Sequence, residues 1–362
     1  MPHSSAPEIR SNVDLSGLSS FRLPARAAEL VVLDTPEQLE ALPASDAPEL
    51  VLGGGTNTLF IGDFPGRIIL NRMRGLRFRR DGDSVLVTAA AGENWHALVR
   101  RCLDRGLYGI ENLVMIPGSV GAAPMQNIGA YGVELSDLFE RLTARDRLHD
   151  RWVTLERDAC HFGYRDSRFK SFDRDRFLIT EVTLRLSQTF RPNTGYASLA
   201  GELERLKIKQ PSVRQLAAAV MRLRRHRLPD PARLPNAGSF FKNPVVARTQ
   251  ADELLAEHPE LPHWPMPEGR VKLAAGWLIE TLGWRGQSVG DIGVYRNHAL
   301  VLVNHGRGSG DELLALIDAV RRSVHEHFGI SLEAEPQLVG IPTSSDLNTG
   351  PASIPDPLEQ RE

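Results

Sequence analysis

The stretch 117–132, Pro-Gly-Ser-Val-Gly-Ala-Ala-Pro-Met-Gln-Asn-Ile-Gly-Ala-Tyr-Gly, constrains the fold more than any other part of this chain. It carries no charge, and its polar cluster is Gln126-Asn127. Glycines permit backbone conformations closed to other residues, and small side chains over such a span mean that something bulky lies against the main chain. A second small-residue loop comes earlier, where Val51-Leu52 runs into Gly53-Gly54-Gly55-Thr56-Asn57. No Gly-Lys-Ser/Thr follows it, so it is not a P-loop, and Thr58 stands where a G-x-G-x-x-G fingerprint needs its last glycine. What remains is a plain turn or a backbone nest, whose successive N–H groups bind phosphate.

A third segment, Asn236-Ala237-Gly238-Ser239-Phe240-Phe241-Lys242-Asn243-Pro244, fits neither a helix nor a strand period. Gly238 allows close approach to a ligand, Ser239 presents an uncrowded hydroxyl, and the paired phenylalanines anchor the turn. Lys242 and Asn243 add a cation and a bidentate amide. Taken alone, the segment also reads as a packed Ser/Gly turn.

Length and composition bound the class. A chain of 362 residues holds two or three domains, and 41% hydrophobic with 24% charged residues is ordinary for a globular enzyme. The net charge of -2 gives no global attraction to nucleic acid or anionic membrane, so any anion site is local. Two cysteines, Cys102 and Cys160, lie far apart and outside Cys-x-x-Cys spacing, which argues against a disulfide framework or a thiolate metal site and fits a reducing cytoplasm. No run approaches the roughly 18 apolar residues of a membrane span, and the first residues have no apolar core for a signal peptide. The histidines form no metal site; His325 and His327 face different ways on a helix.

Along the chain, strands and helices alternate. Thr35-Pro36-Glu37-Gln38 is a capping box with proline at the first helical position. Residues 49–52 and 67–71 read as short strands flanking the triple-glycine loop. Trp95, Leu98, Val99, Cys102 and Leu103 recur at helical spacing, and the helix stops at Gly106. Residues 177–186 read as a half-buried strand with Leu178, Val182, Leu184 and Leu186 on one face. Ser212 with Gln215, and Ser309 with Glu312, open two further helices, the last stopping at Gly329. Arg222, Arg224, Arg225 and Arg227 crowd the end of the first of these, where cations complement the helix dipole. Leu228-Pro229-Asp230-Pro231 is the clearest boundary. Residues 1–16 read as a flexible lead-in and 343–362 as a disordered tail.

Two more clusters complete the candidate chemistry. Gly163-Tyr164-Arg165-Asp166-Ser167 offers a guanidinium that stays charged and binds a carboxylate in bidentate fashion, or a surface Arg–Asp pair. Glu333 and Glu335 alternate with Leu332 and Ala334, which places both on one side of a strand. Pro336 suits an exposed strand edge.

Taken in order, the glycine loops, Gly163-Tyr164-Arg165-Asp166-Ser167, Gly238-Ser239-Phe240-Phe241 and Leu332-Glu333-Ala334-Glu335 resemble the UDP-N-acetylenolpyruvoylglucosamine reductase family, the UDP-N-acetylmuramate dehydrogenases. The resemblance covers residues 18–340. It implies an α+β fold: an FAD-binding fold of the vanillyl-alcohol-oxidase type with two α/β subdomains (17–72 and 73–227), then an α+β substrate-binding domain at 228–330. A C-terminal strand at 331–342 returns to the active site. FAD is expected non-covalently, with NADPH as co-substrate and an enolpyruvyl UDP-sugar as substrate.

By the same resemblance the catalytic residues are Arg165, Ser239 and Glu335: Arg165 on the substrate carboxylate, Ser239 as proton donor, Glu335 stabilising the enolate. The cofactor is expected on Gly53, Gly54, Gly55, Thr56 and Asn57 of the first loop. Ile116, Pro117, Gly118, Ser119, Gly121, Ala122, Asn127 and Gly129 of the second complete its cradle. Substrate contacts are expected at Tyr131, Tyr196, Arg227, Asn243 and Arg285, with arginine replacing a family lysine at 227 and 285 and Tyr196 on the substrate-covering loop of the type I branch. Pro336 departs from the valine most relatives carry, and Ser19-Ser20-Phe21 from their Asn-Thr-Phe. No metal, nucleic acid or membrane partner is expected, and the protein reads as a cytoplasmic monomer. The rival readings are another flavin oxidoreductase of this fold, acting on a sugar or hydroxy acid, and a non-catalytic UDP-sugar-binding protein. The joint presence of Ser239 and Glu335 argues against both.

Overall fold

The computed structural model describes residues 6–340, so the tail read as disordered lies outside the described residues. The chain forms two compact units. One comprises the chain up to Val13, Ala27–Gly55 and Pro65–His226; the other comprises Asp14–Arg26, Thr56–Phe64 and the chain from Arg227 on.

Among the described residues the first unit holds two large sheets and a two-stranded one, Gly129–Ala130 with Val133–Glu134. A four-stranded sheet has the order Glu8–Asp14, Arg26–Leu33, Phe64–Asn71, Glu49–Leu52, and its last pair is parallel with Leu50 opposite Ile68. Residues 8–14, read as part of a flexible lead-in, are therefore a strand. Its side chains are mostly exposed, so composition carries no sign of it; main-chain pairing to the neighbouring strand holds it. The second sheet is antiparallel, in the order Arg151–Glu156, Phe139–Asp146, Phe177–Ser187, Ser84–Ala90, Leu76–Asp81. The simple alternation expected for its central strand breaks at Thr180, where the register slips opposite Thr143 and Ala144. Leu178 consequently packs with Val31, Leu33 and Ile69, whereas Val182, Leu184 and Leu186 join the larger core. A one-residue bulge reverses which face a side chain takes.

The helices of this unit start where their caps dictate. Helix α1 (Pro36–Glu40) has the reciprocal Thr35–Gln38 box, and α2 (Trp95–Leu103) begins with Asn94 Oδ1 accepting the Ala97 N–H at 2.9 Å. Helix α3 spans Ala197–Arg205. Helix α4 (Val213–Arg227) opens on Ser212 and Gln215, whose side chains each accept the other's backbone N–H at 3.3 and 2.9 Å. Trp95 and Val99 of α2 and Leu216 and Val220 of α4 are sealed into the core with Val87, Leu142 and Val182. Each such burial contributes about 1.5–3 kcal/mol.

The second unit contains a four-stranded sheet, Asn236–Ser239, Val301–Asn304, Ile292–Val294, Ser288–Val289, and a three-stranded one, Val245–Ala247, Arg270–Leu273, His263–Pro265. Helices α5 (Arg248–Glu257), α6 (Ala275–Thr281) and α7 (Gly310–Phe328) supply its core with Phe240, Phe241, Leu278 and Leu316. Helix α7 carries the Ser309–Glu312 box and ends at Gly329, φ 63°. Gln337–Val339 pairs in parallel with Thr58–Phe60, so the end of the described chain docks beside the segment that follows the first glycine loop. Among the described residues, no helix is long and apolar enough to cross a membrane.

Candidate active site

The two small-residue loops meet backbone to backbone inside the first unit. A Cβ on Gly54 would lie 2.8 Å from Gly118 Cα, and one on Gly53 would lie 2.2 Å from Ser119 Oγ. Only glycine allows this approach. The second loop is clamped to the turn before α2: Val120 N–H donates to Glu93 O at 2.9 Å, Gly121 N–H to Ala91 O at 2.8 Å, and Trp95 N–H to Gly118 O at 3.1 Å. Ile116, Pro117 and Ala122 lie along the same loop, which turns at Asn127, φ 45°. Ser119 Oγ is sealed from solvent with no hydrogen-bond partner among the described residues. An unsatisfied buried hydroxyl beside glycine backbone on two loops fits the pyrophosphate of a dinucleotide, which would supply the partner that hydroxyl lacks among the described residues. Asn127 plays another part. Its amide nitrogen donates to Glu134 Oε2 and Gly163 O at 2.8 and 3.1 Å, and its oxygen accepts the Ser136 N–H at 2.9 Å. It ties the loop to the turn that carries Arg165.

That turn, Gly163 to Asp166, is closed by hydrogen bonds in both directions, and Arg165 adopts φ 54°, a conformation costly for a residue with a side chain. Its Nη2 donates to Gly129 O at 2.8 Å, and a Cβ on Gly129 would meet Arg165 Nη1 at 3.1 Å. Gly129 is thus where the small-residue loop makes room for the guanidinium. Tyr131, also at positive φ (50°), is buried, and Tyr196 meets its ring edge-on at 5.6 Å between centroids. Tyr196 is 40% exposed and heads α3 on a loop held by Asn193, whose Nδ2 donates to Gly132 O. On the expectation, carried by the resemblance, that this loop covers a UDP-sugar, Tyr196→Phe should weaken UDP-sugar binding only a few-fold while NADPH still bleaches bound flavin at the normal rate. Equal damage to both steps would assign that loop to architecture.

In the second unit Ser239 ends the strand Asn236–Ser239, opposite Val301. Gly238 at φ 73° turns the chain, and Asn236 fixes the turn by accepting the Gly238 N–H at 3.0 Å while donating to Pro229 O and Leu234 O. Phe240 and Phe241 are each 1% exposed and stack edge-to-face, so the serine stands on an immobile base. Glu335 N–H donates to Phe240 O at 2.7 Å, and Lys242 N–H donates to Glu333 O at 2.9 Å. The residue after Ser239 is therefore one backbone hydrogen bond from Glu335.

The geometry of Glu333 and Glu335 differs from the one-sided strand expected. They precede the strand Gln337–Val339, and only Ala334 bridges to Phe241. Pro336 is the reason: it has no N–H for a ladder and biases its neighbour's backbone. The Glu333 carboxylate pairs with Lys242, and the Glu335 backbone is held by Asn57, whose Nδ2 donates to Glu335 O at 3.3 Å and whose O accepts the Gln337 N–H at 2.9 Å. Thr56 and Asn57 fall in this second unit, and Asn57 anchors the Glu335 backbone there.

Asn243 Oδ1 accepts the Ala275 N–H that opens α6, and Arg285 pairs with Glu280. Arg227 ends α4, and half-buried His298 has its pKa pushed down to about 4 by burial first and by the Arg227 charge second. His298 is a polar group that motif spacing did not single out, since only tertiary packing covers it. Among the described residues no cluster of histidine, cysteine, aspartate and glutamate could hold a metal.

Comparisons with known proteins agree with this geometry. Residues 230–339 match the model of the UDP-N-acetylenolpyruvoylglucosamine reductase C-terminal domain, and residues 32–146 match that of an FAD binding domain. The chain is 46% identical to the UDP-N-acetylenolpyruvoylglucosamine reductase of Chromobacterium violaceum over 338 residues, covering 92% of this chain and 99% of the relative. It is 45% identical to that of Dechloromonas aromatica over 330 residues, 90% and 98% of the two chains. The crystal structure of the reductase from Thermus caldophilus shares the fold, with a TM-score of 0.64 over 92% of this chain and 99% of that one at 24% identity. The fold is α+β, with an FAD-binding fold of the vanillyl-alcohol-oxidase type. The chain belongs to the UDP-N-acetylenolpyruvoylglucosamine reductase family.

Proposed function

We propose that this enzyme uses NADPH to reduce the enolpyruvyl ether of UDP-N-acetylglucosamine to UDP-N-acetylmuramate, with Arg165, Ser239 and Glu335 as its catalytic residues. The observation that carries the reading is the bond from Glu335 N–H to Phe240 O, which joins the backbone at Glu335 to that of the residue after Ser239 although the two lie far apart in the sequence. Bound FAD would supply the hydride chemistry that links NADPH to the terminal methylene carbon of the substrate. The residues that would hold it are the Gly53, Gly54 and Gly55 backbone with Gly118, Ser119 and Gly121, while Asn127 and Gly129 position the loop.

The protein's own task is to stabilise charge and place a proton. Hydride addition to the methylene carbon leaves an enolate next to the substrate carboxylate. Arg165, at positive φ and donating to Gly129 O, would bind the carboxylate and the developing charge. The Ser239 hydroxyl gives its proton to the neighbouring carbon and regains one from solvent, so hydride and proton together saturate the double bond. A serine is a weak acid, but a carbon-centred enolate is basic enough to take its proton. Glu335 stabilises the enolate as a hydrogen-bonding partner. Tyr131, Tyr196, Arg227, Asn243 and Arg285 are assigned to the UDP-sugar; the Arg285–Glu280 pair would have to open for Arg285 to reach a phosphate.

A cytoplasmic monomer is the setting we favour. Two free, buried thiols, each pushed up to about 12 by burial, suit a reducing compartment. The purified protein should be yellow and release all its flavin on acid or heat denaturation. Flavin that stays on the denatured chain would rule out non-covalent binding, and a colourless protein that takes up no FAD would remove the function.

A further inference from the structure

Arg22 and Arg307 line a groove of about 450 Å³ in the second unit, together with Ser16, Gly17, Pro24 and Gly306. That volume is in the range of small-molecule sites, and none of these residues is assigned to FAD or to the UDP-sugar. The two loops that carry the arginines are built to stay in place. The first closes where Leu15 N–H donates to Ala25 O at 2.9 Å, and buried Leu15, Phe21 and Leu23 pin it. Arg22 stands between the last two at φ 57°, a conformation costly for a residue with a side chain. The second loop, 304–308, is shaped by buried Asn304, whose Oδ1 accepts the Gly306 and Gly308 N–H groups at 2.8 and 3.0 Å. Asn304 Nδ2 donates to Phe21 O at 3.1 Å, so one amide fixes the backbone of both loops.

Charge and space in the groove point to an anion. Arg168, Arg176 and Arg185 each hold a carboxylate within 2.8 Å, whereas neither groove guanidinium has a hydrogen bond or a carboxylate partner among the described residues. Asp14, the acid that flanks the first loop, accepts the Ser16 N–H at 2.9 Å and pairs with neither arginine. Gly17 has no local reason to be glycine: its φ is ordinary, and a Cβ there would meet nothing within 4 Å. A missing side chain at such a place leaves room for a ligand rather than for the protein.

We propose that this groove is a second binding site, for the phosphoryl dianion of a small phosphate ester or of free phosphate. Guanidiniums offer paired N–H donors that match phosphate oxygens, and two of them from separate fixed loops can share one dianion. The proposal stands apart from the reductase reading, whose failure would leave it intact.

The test titrates holoenzyme of the full chain with inorganic phosphate, AMP and, as the neutral control, adenosine, followed by calorimetry. The variants are Arg22→Gly, Arg307→Gln and the two combined, with Arg214→Gln, exposed on α4 in the first unit, as the charge control. Glycine takes a positive φ freely, so Arg22→Gly should leave Tm level or higher, and binding lost with it is not lost to unfolding. Each single variant should weaken the bound anion about 3–10-fold and the double variant should remove saturable binding, while Arg214→Gln changes it less than two-fold. Tighter binding of AMP than of phosphate assigns the groove to an ester, and phosphate equal to AMP or tighter assigns it to the free anion. The inference is overturned if neither anion binds saturably, or if binding survives the double variant and so belongs elsewhere. It is equally overturned if Arg214→Gln weakens the anions as much as the groove variants do, or if adenosine binds as well as AMP.

Discussion

Ser239→Ala should still let NADPH bleach the flavin at a near-normal rate, while return of the flavin absorbance on adding the enolpyruvyl UDP-sugar slows by roughly 10²–10⁴-fold, the usual loss for a positioned general acid. The split arises because accepting hydride from NADPH calls for no proton from that hydroxyl, whereas saturating the substrate carbon does. The substitution removes one oxygen and leaves the support untouched: Phe240 O still accepts the Glu335 N–H, Gly238 keeps its φ of 73°, and the two phenylalanines stay buried. FAD content should therefore equal that of the wild type, which controls for misfolding. Stopped-flow absorbance separates the two half-reactions. Substrate-driven return as fast as wild type would remove Ser239 from the mechanism and leave the turn as architecture.

Much of this protein is written locally. The helix starts at Thr35, Ser212 and Ser309 follow from side chains three residues apart that satisfy each other's backbone, so reading the pairs is enough to place them. The small-residue loops are similarly plain, because only glycine tolerates the approach of Gly54 to Gly118. What stayed hidden depends on chain segments far apart. Nothing near Asn57 announces that its side chain will hold the Glu335 backbone, 278 residues away. The pairing of Glu8–Asp14 at a sheet edge rests on main-chain bonds, which composition does not record. The alternation of Glu333 and Glu335 misleads because Pro336 delays the strand until Gln337, and Glu333 turns to pair with Lys242. Arg224 sits in a run of arginines that looks solvated, and only the packing of α4 distinguishes it from Arg222 and Arg225.

Gly54→Ala should strip the enzyme of flavin, and the contrast with Gly53→Ala explains why. At Gly54 the added methyl meets backbone, with Gly118 Cα at 2.8 Å, Gly118 C at 3.2 Å and Ser119 N at 3.3 Å. None of these can rotate away, so the loops must separate. Overpacking of this kind costs about 1–3 kcal/mol, and the separation falls on the backbone assigned to the pyrophosphate. At about 1.4 kcal/mol per decade, FAD affinity should fall roughly 10–100-fold, and the protein should purify with little flavin. At Gly53 the nearest atom is Ser119 Oγ at 2.2 Å, and turning the Ser119 side chain relieves the clash at the cost of that one hydroxyl's bond to the cofactor, leaving the backbone of both loops in place. Gly53→Ala should thus cost markedly less flavin than Gly54→Ala. Gly201→Ala is the reference: it lies in α3 with open space around it, and alanine there should stabilise the helix and leave FAD content alone. Flavin-to-protein absorbance ratios and titration of flavin-depleted protein with FAD would rank the three. Equal flavin content in Gly54→Ala and wild type would show that the meeting of the two loops does not govern cofactor binding.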